Sequence, residues 1–415
     1  TINNIYIYRM ESLKDRMFGE EVEEDDELGM LICQWLDERG HAEALKALEH
    51  DLGKNYTNDC VKLGSQLQYI YNDYKDLQAS AALSSMSLDD QELDSDLLGD
   101  NVYPKELQEQ FTDIHKANIL CMRFSPDPET NMMVTGSTDK TIKVTDFITK
   151  QVLYTFTDLA HAAFIALDFC PTDPHLLLAS NIDGSTVLLR IESSGIGHLV
   201  QTFKDHQKYV VRVRWSPDGR KFATCSYDKT LKYYAQADDG TFVLVNSIEF
   251  PYSLESLVFT PDSQRIITAC RESNYLQYIN TEDNSIEKFN MNVTGDDHVS
   301  FSAMEFAITP NKKYLLVSTD RSRLILFKLG TDKQLRNFYG ATNDHYSTTR
   351  NAIDSTGHYI YSTSQDNIIY VWDIATQKMV SKLKHHLSSV RDLSVHPSLN
   401  LLGTCSFDKS VCLWK

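Results

Sequence analysis

Seven short turns, each built around an acidic residue, recur at nearly equal intervals through the last three quarters of the chain. They read STDKT at 137–141, IDGST at 182–186, SYDKT at 226–230, CRESN at 270–274, STDRS at 318–322, SQDNI at 364–368 and SFDKS at 406–410. Their central residues are Asp139, Asp183, Asp228, Glu272, Asp320, Asp366 and Asp408, spaced by 44, 45, 44, 48, 46 and 42 residues. A unit of this length cannot bury a face alone, so its copies must stack on one another. A β-rich run follows each turn (TIKVTD, VLLRI, LKYY, YLQYI, LILFK, IIYVWD, VCLWK), and another precedes it (MMVTG, LLLAS, FATCS, RIITA, YLLVS, YIYST, LLGTC). Branched and aromatic residues bounded by Asp, Ser and Gly read as strands. A further run ends at a Pro or Ser/Asp turn in MRFSPD, LDFCPTD, VRWSPDG, LVFTPD, EFAITP and LSVHPS.

Short strands repeating at this period predict an all-β fold, a seven-bladed β-propeller with four strands per blade. A histidine stands about 22 residues ahead of most turns: His115, His161, His206, His298, His345 and His386. The order of His, SPDG-like turn, Ser/Thr-x-x-x-Asp, then YVWD or CLW resembles the WD-repeat family, over residues 113–415. The WD dipeptide survives once, as Trp372-Asp373; Trp414 keeps the Trp, and Tyr234 stands at its place in the third repeat. The resemblance implies a buried hydrogen-bonded chain of Trp, Ser/Thr, His and Asp. It assigns complete chains to Trp372–Ser362–His345–Asp366 and Trp414–Thr404–His386–Asp408, and a partial one to Thr224–His206–Asp228.

Ser, His and Asp together also suit nucleophilic catalysis. Here the grouping returns with every repeat, and no GxSxG elbow accompanies it. No catalytic residue is assigned, and a hydrolytic enzyme ranks last among the readings. The eight cysteines (33, 60, 121, 170, 225, 270, 405 and 412) show no CxxC spacing. No metal or cofactor is expected from them. They read as reduced, buried thiols of a cytoplasmic or nuclear protein.

The seventh repeat reaches Lys415 one residue after Trp414, short of an outer strand. LQEQFTDIH at 107–115 matches LYTFTDLAH at 153–161. Glu106–Thr112 is therefore expected to supply that strand, which removes an open sheet edge and sets the propeller at 106–415.

The first quarter of the chain differs in kind. Residues 1–112 hold 9 Lys/Arg against 25 Asp/Glu, whereas the other 31 and 33 nearly cancel. Phosphate would be repelled from this part, so no sequence-specific nucleic acid is expected as a partner. An acidic segment spans 1–27. In the segment 28–53, Leu31, Ile32, Trp35 and Leu36 share one helical face, Gly40 breaks the run, and Ala44, Leu45 and Leu48 share a second face. The pattern L-I-x-x-W-L-x-x-x-G-x-x-x-A-L-x-x-L-E resembles the LisH dimerisation motif. At 60–80, Leu63, Leu67, Ile70, Tyr74 and Leu77 form an a/d stripe, read as a short coiled coil. A Ser/Asp-rich linker at 81–105 follows. The expected oligomer is a homodimer.

This order of parts resembles lissencephaly-type dynein and microtubule regulators. It also resembles LisH/WD-repeat adaptors of nuclear chromatin, corepressor and ubiquitin-ligase complexes. Both resemblances imply a non-enzymatic scaffold within a multisubunit complex. No apolar run approaches the roughly 18–20 residues that span a bilayer, so no membrane partner is expected. Protein partners are expected on the rim that carries the acidic turns. Its candidate residues are Lys116, Lys140, Lys208, Tyr209, Tyr227, Lys229, Arg321, Arg323, Tyr346, Phe407 and Lys409. Aromatic and basic side chains suit a binding hot spot for an acidic partner. Asp-Lys is also simply a good tight turn.

Overall fold

The computed structural model describes residues 24–57 and 102–415, apart from 128, 294, 296, 298, 300 and 344–347. It contains two compact units, one within Thr1–Glu92 and one within Leu93–Lys415.

In the first unit, α1 (Glu24–Glu38) and α2 (Ala42–Leu52) form a helical hairpin. The first helix includes four residues ahead of the expected 28, inside the acidic segment. Gly40 (φ 74°) and Gly53 (φ 65°) take the left-handed conformation that ends each helix. The helices cross closely at Gly29, where a Cβ would lie 2.8 Å from Leu52 Cδ1. Met30, Leu31 and Cys33 are buried, and Ile32, Trp35 and Leu36 are half-buried. No α2 residue is buried: Ala44 is exposed, and Leu45 and Leu48 are half-buried. The expected coiled-coil positions Leu63, Leu67, Ile70, Tyr74 and Leu77 lie outside the described residues, as does most of the linker.

In the second unit, strands β1 to β28 make seven four-stranded antiparallel sheets. Blades 1 to 6 occupy 119–156, 164–203, 210–249, 254–290, 303–339 and 351–384. Blade 7 joins 390–414 to 107–111. Each blade begins with its innermost strand: β2 (Ile119–Phe124), β6 (Phe164–Phe169), β10 (Val210–Trp215), β14 (Leu254–Phe259), β18 (Ala303–Ile308), β22 (Asn351–Ile353) and β26 (Val390–Val395). Each of these packs on the next, and β26 returns to β2, so the seven sheets close a ring.

The core is divided the same way. Seven apolar clusters each fill the space between two consecutive blades. Both faces of a blade are therefore covered, which is why the inner strands read as apolar runs and not as alternation. The outer strands show the reverse: β13 (Phe242–Glu249) buries Phe242 but exposes Val243, Leu244 and Val245.

Ring closure lies where the repeat arithmetic puts it. Strand β1 (Leu107–Phe111) pairs antiparallel with β28 (Val411–Trp414), Phe111 opposite Val411. The Lys415 carbonyl accepts from the Lys105 and Glu106 amides at 2.9 and 3.0 Å. Phe111 packs in the cluster between blades 7 and 1. The last blade thus gains its fourth strand from the start of the propeller sequence.

Candidate functional site

The acidic turns line one face of the ring, and a buried polar chain positions three of them. In blade 7, Trp414 Nε1 donates to Thr404 Oγ1 at 2.9 Å, and that hydroxyl meets His386 Nε2 at 2.8 Å. The other ring nitrogen, Nδ1, lies 2.9 Å from Asp408 Oδ2. This order makes Nδ1 the protonated nitrogen, assigned from the network. Asp408 also accepts from the Leu387 and Ser410 amides, both at 2.9 Å. Against burial, the His386 and Ser410 side-chain bonds and the Leu387 amide hold its carboxyl well below the usual range.

Blade 3 repeats the arrangement with His206 between Thr224 (2.8 Å) and Asp228 (2.9 Å). Tyr234, in the Trp position, instead donates to Asp205 at 2.9 Å. Burial lowers the His206 pKa, and the Thr230 and Gln207 donors hold Asp228 at about 2 against its burial. Blade 1 carries a third set that the sequence reading missed: His115 meets Thr135 at 2.8 Å and Asp139 at 3.0 Å. The signal was present, since Thr135 stands two residues before Ser137 as Thr224 stands before Ser226. Thr145 occupies the place of the Trp there.

Two blades depart from the expected pattern. In blade 6 the described members of the expected chain, Trp372, Ser362 and Asp366, do not bond one another. Trp372 Nε1 donates to the Tyr339 carbonyl at 3.0 Å, Ser362 Oγ donates to the Thr363 carbonyl at 3.2 Å, and Asp366 accepts from Tyr370 Oη at 2.7 Å. The turn differs as well. Thr141, Thr230 and Ser410 each bond their Asp at 2.6 Å, but the matching residue in blade 6 is Ile368, which has no hydroxyl. His345 and Tyr346 lie outside the described residues. Blade 5 is shifted by one residue: Thr319 matches Ser137, so Arg321 and not Asp320 takes the acidic position. Asp320 turns inward and accepts the Ser302 amide at 2.8 Å.

On the face itself, Lys116, Lys140, Lys208, Lys229 and Lys409 are exposed. Tyr209 is 46% exposed, and its ring lies 5.8 Å from that of Tyr227. Phe407 is half-buried beneath the Arg391 guanidinium, at 4.9 Å. Arg321 is half-buried. Arg323 is not a surface residue: it is 5% exposed and stacks on Phe301 at 4.8 Å. Leu387 stands 88% exposed beside these cations, pinned by its amide bond to Asp408.

The channel of the ring holds a second feature, built from charges scattered over the inner strands. Glu305 on β18 accepts from Arg212 Nε at 2.7 Å, Arg214 Nη2 at 3.0 Å and Ser256 Oγ at 3.1 Å, and pairs with Arg350 at 3.2 Å. Burial would raise its carboxyl, but Arg212, Arg350 and Arg214 together bring it down to about 2. Asp392 on β26 pairs with Arg123 at 2.8 Å. Arg271 and Glu255 pair nearer the acidic-turn face, at 2.5 Å. These groups come from six of the seven blades, and Asp168, facing Arg214 at 3.6 Å, adds the seventh. No single segment announces such a cluster; its trace is a lone charge before the aromatic in MRF, LDF, VRW and MEF.

One comparison tests the polar chain. Thr404→Val keeps the volume but strands the His386 and Trp414 nitrogens, so it should cost about 1–3 kcal/mol in equilibrium unfolding. Ser362→Ala should cost less than about 1 kcal/mol, since Ser362 bonds only a neighbouring carbonyl. Equal losses would contradict the assignment.

The WD domain, G-beta repeat family matches residues 107–146, 197–234, 333–373 and 377–415. Among known proteins, "WD repeat-containing protein 26 homolog" of Arabidopsis thaliana is 22% identical over 57% of this chain and 46% of its own length. "Protein tipD" of Dictyostelium discoideum is 24% identical over 75% of this chain and 49% of its own. "Jouberin" of Rattus norvegicus is 24% identical over 59% of this chain and 24% of its own. The chain thus spans about half or less of the length of these relatives. Matches centred on the first, third, sixth and seventh blades, set on seven closed sheets, identify the chain as a seven-bladed β-propeller carrying WD40 repeats.

Proposed function

We propose that the protein is a non-catalytic scaffold whose acidic-turn face receives an acidic segment of a partner protein. One observation carries this reading. The Asp-Lys turns look neutral in sequence, but Asp139, Asp228 and Asp408 are each bonded by a histidine, main-chain amides and a hydroxyl inside the blade. Their charges are already engaged, so the face presents the lysines. Lys140, Lys229 and Lys409 moreover hold left-handed backbone (φ 68°, 69° and 67°), where glycine is at ease and other residues are strained. Gly184 takes the same place in blade 2 (φ 92°). Tyr209, Tyr227 and Leu387 add apolar contact beside the cations, as binding hot spots require.

The second part of the proposal concerns the hairpin, which resembles a LisH motif and pairs two copies of the chain. Its support is the apolar side of α2: Leu45 and Leu48 lie on a helix that buries none of its residues. Two short helices cannot enclose a core of their own.

Two outcomes follow. Lys140→Glu, Lys229→Glu and Lys409→Glu together should weaken binding of an acidic peptide such as oligoglutamate at least about tenfold at low salt, with melting unchanged. Retained affinity, measured by fluorescence anisotropy, would remove the reading of this face. Light scattering should give twice the chain mass at micromolar concentration, and Leu45→Glu with Leu48→Glu should halve it. A wild-type monomer would remove the hairpin's role.

A further inference from the structure

The outer strands of the seven blades are not alike. In blades 4 to 7 they carry charge: Glu287 and Lys288 on β17 (Ile286–Asn290), Arg336 on β21 (Gln334–Tyr339), Lys382 and Lys384 on β25 (Met379–Lys384), and Glu109 on β1. Such charges keep a sheet edge from recruiting other chains. The outer strands of blades 1 to 3 lack them, and in blades 2 and 3 the apolar residues are also left open. β9 (Gly197–Phe203) reads GHLVQTF, and β13 reads FVLVNSI before its last residue, Glu249. Leu199, Val200, Val243, Leu244 and Val245 are between 42% and 50% exposed. The two runs occupy matching places, with Leu199 and Leu244 each just before a bulge at Val200 and Val245. Gln201 joins them, donating to the Phe242 carbonyl at 2.7 Å and accepting its amide at 3.0 Å. A single exposed apolar side chain is ordinary, but adjoining runs of them mark an interaction surface.

The shape and charge of this wall define what it takes. An added strand would need the free backbone edge of β13, and that edge is blunted. Gln201 engages the Phe242 amide and carbonyl, the Asn246 side chain accepts the Ser247 amide at 2.8 Å, and the bulge at Val245 lies between them. The wall therefore offers side-chain contact, which suits a helix with an apolar stripe. At the end away from the acidic turns the wall is bordered by carboxylates. Asp238 and Asp239 stand in the turn that leads into β13, and Glu282 and Asp283 in the matching turn of blade 4; all four are exposed. Asn246 holds that second turn beside β13, its Nδ2 donating to Asn284 Oδ1 at 2.6 Å. The segments 216–221, 237–241, 260–265 and 281–287, which meet at this end, hold seven carboxylates against three cations. Two of the cations are engaged: Lys221 donates to Thr281 Oγ1 at 2.8 Å, and Arg265 pairs with Glu287 at 3.2 Å. At the other end of β13 one cation, Lys232, bonded to Ser247 Oγ at 2.6 Å, stands with one carboxylate, Glu249. The acidic border does not complement residues 1–112, with their 25 Asp/Glu against 9 Lys/Arg. A second copy of the wall would meet it with its own charge.

We infer that the outer wall of blades 2 and 3 is a second interaction surface, which receives a basic amphipathic helix of another protein. Its apolar stripe lies on Leu199, Val200, Leu244 and Val245, and its lysines or arginines run along the side over Asp238, Asp239, Glu282 and Asp283. This surface is separate from the lysine-bearing face and selects the opposite charge.

The test uses the full chain and three fluorescent peptides of about four helical turns. One is built of leucine and lysine with the leucines at helical spacing, the second has glutamate for every lysine, and the third is a scramble of the first. The Leu/Lys helix should bind at least about tenfold tighter than either of the others at low salt. Val200→Thr, Leu244→Thr and Val245→Thr together should lower that affinity at least about tenfold. These side chains are exposed, so the variant should melt within about 2 °C of wild type. Asp238→Asn, Asp239→Asn, Glu282→Gln and Asp283→Asn together should lower it about tenfold as well. Both variants should bind oligoglutamate as wild type does. A scramble that binds as well as the helix, or affinity that survives in the threonine variant, would overturn the surface and leave the lysine face untouched. Full affinity in the amide variant would overturn the basic helix as its occupant. A chain mass that halves in the threonine variant would make a second copy the occupant and overturn the proposal.

Discussion

A carboxylate with three arginines around it, buried at the centre of the ring, constrains everything built outside it. Glu305 reaches from blade 5 to Arg212 and Arg214 in blade 3, Arg350 in blade 6 and Ser256 in blade 4. These are contacts between blades that are not all neighbours in the sequence of the ring. Apolar packing joins each blade only to the next and is tolerant of small shifts in angle. A buried charge is not tolerant, because losing one partner leaves the other in a poor solvent. The channel network thus fixes the mutual orientation of blades that the seven separate apolar clusters constrain only pairwise.

Orientation at the centre passes outward to the face through the polar chains. Each histidine ties a turn Asp to the second strand of its blade, so the turn moves with the framework and not as a free loop. The Asp is consumed inside and the Lys is delivered outside. Structure and charge display are therefore one arrangement: the bonds that hold the blade also unmask its cations. Blade 6 shows the dependence in reverse. With Ile368 in place of a hydroxyl, Asp366 turns to Tyr370, and Trp372 finishes on a carbonyl.

The sequence made the period, the number of blades and the closing strand legible, because each follows from local patterns of turns and branched residues. Phe111 opposite Val411 needed only the likeness of 107–115 to 153–161. The blade 7 chain was legible because Trp414, Thr404, His386 and Asp408 all stand at the repeat's spacing. Blade 5 misled because STDRS imitates STDKT, and only the hydrogen bonds of Thr319 reveal the one-residue shift. The channel network was illegible for a different reason. Arg123, Arg212, Glu305 and Asp392 are far apart in the chain, and each alone is an ordinary charged residue on a strand. Only ring closure brings them to one axis. The apparent rim residue Arg323 failed similarly, since its burial depends on Phe301 of an adjacent loop.

The mutual orientation of the blades depends on Glu305. Equilibrium unfolding of Glu305→Gln, which keeps the shape and removes the charge, tests it most directly. The expected loss is about 3–5 kcal/mol, against less than about 0.5 kcal/mol for the exposed Glu249→Gln control. A loss no larger than that of the control would show that the blades hold their orientation without the buried carboxylate, and would contradict the account.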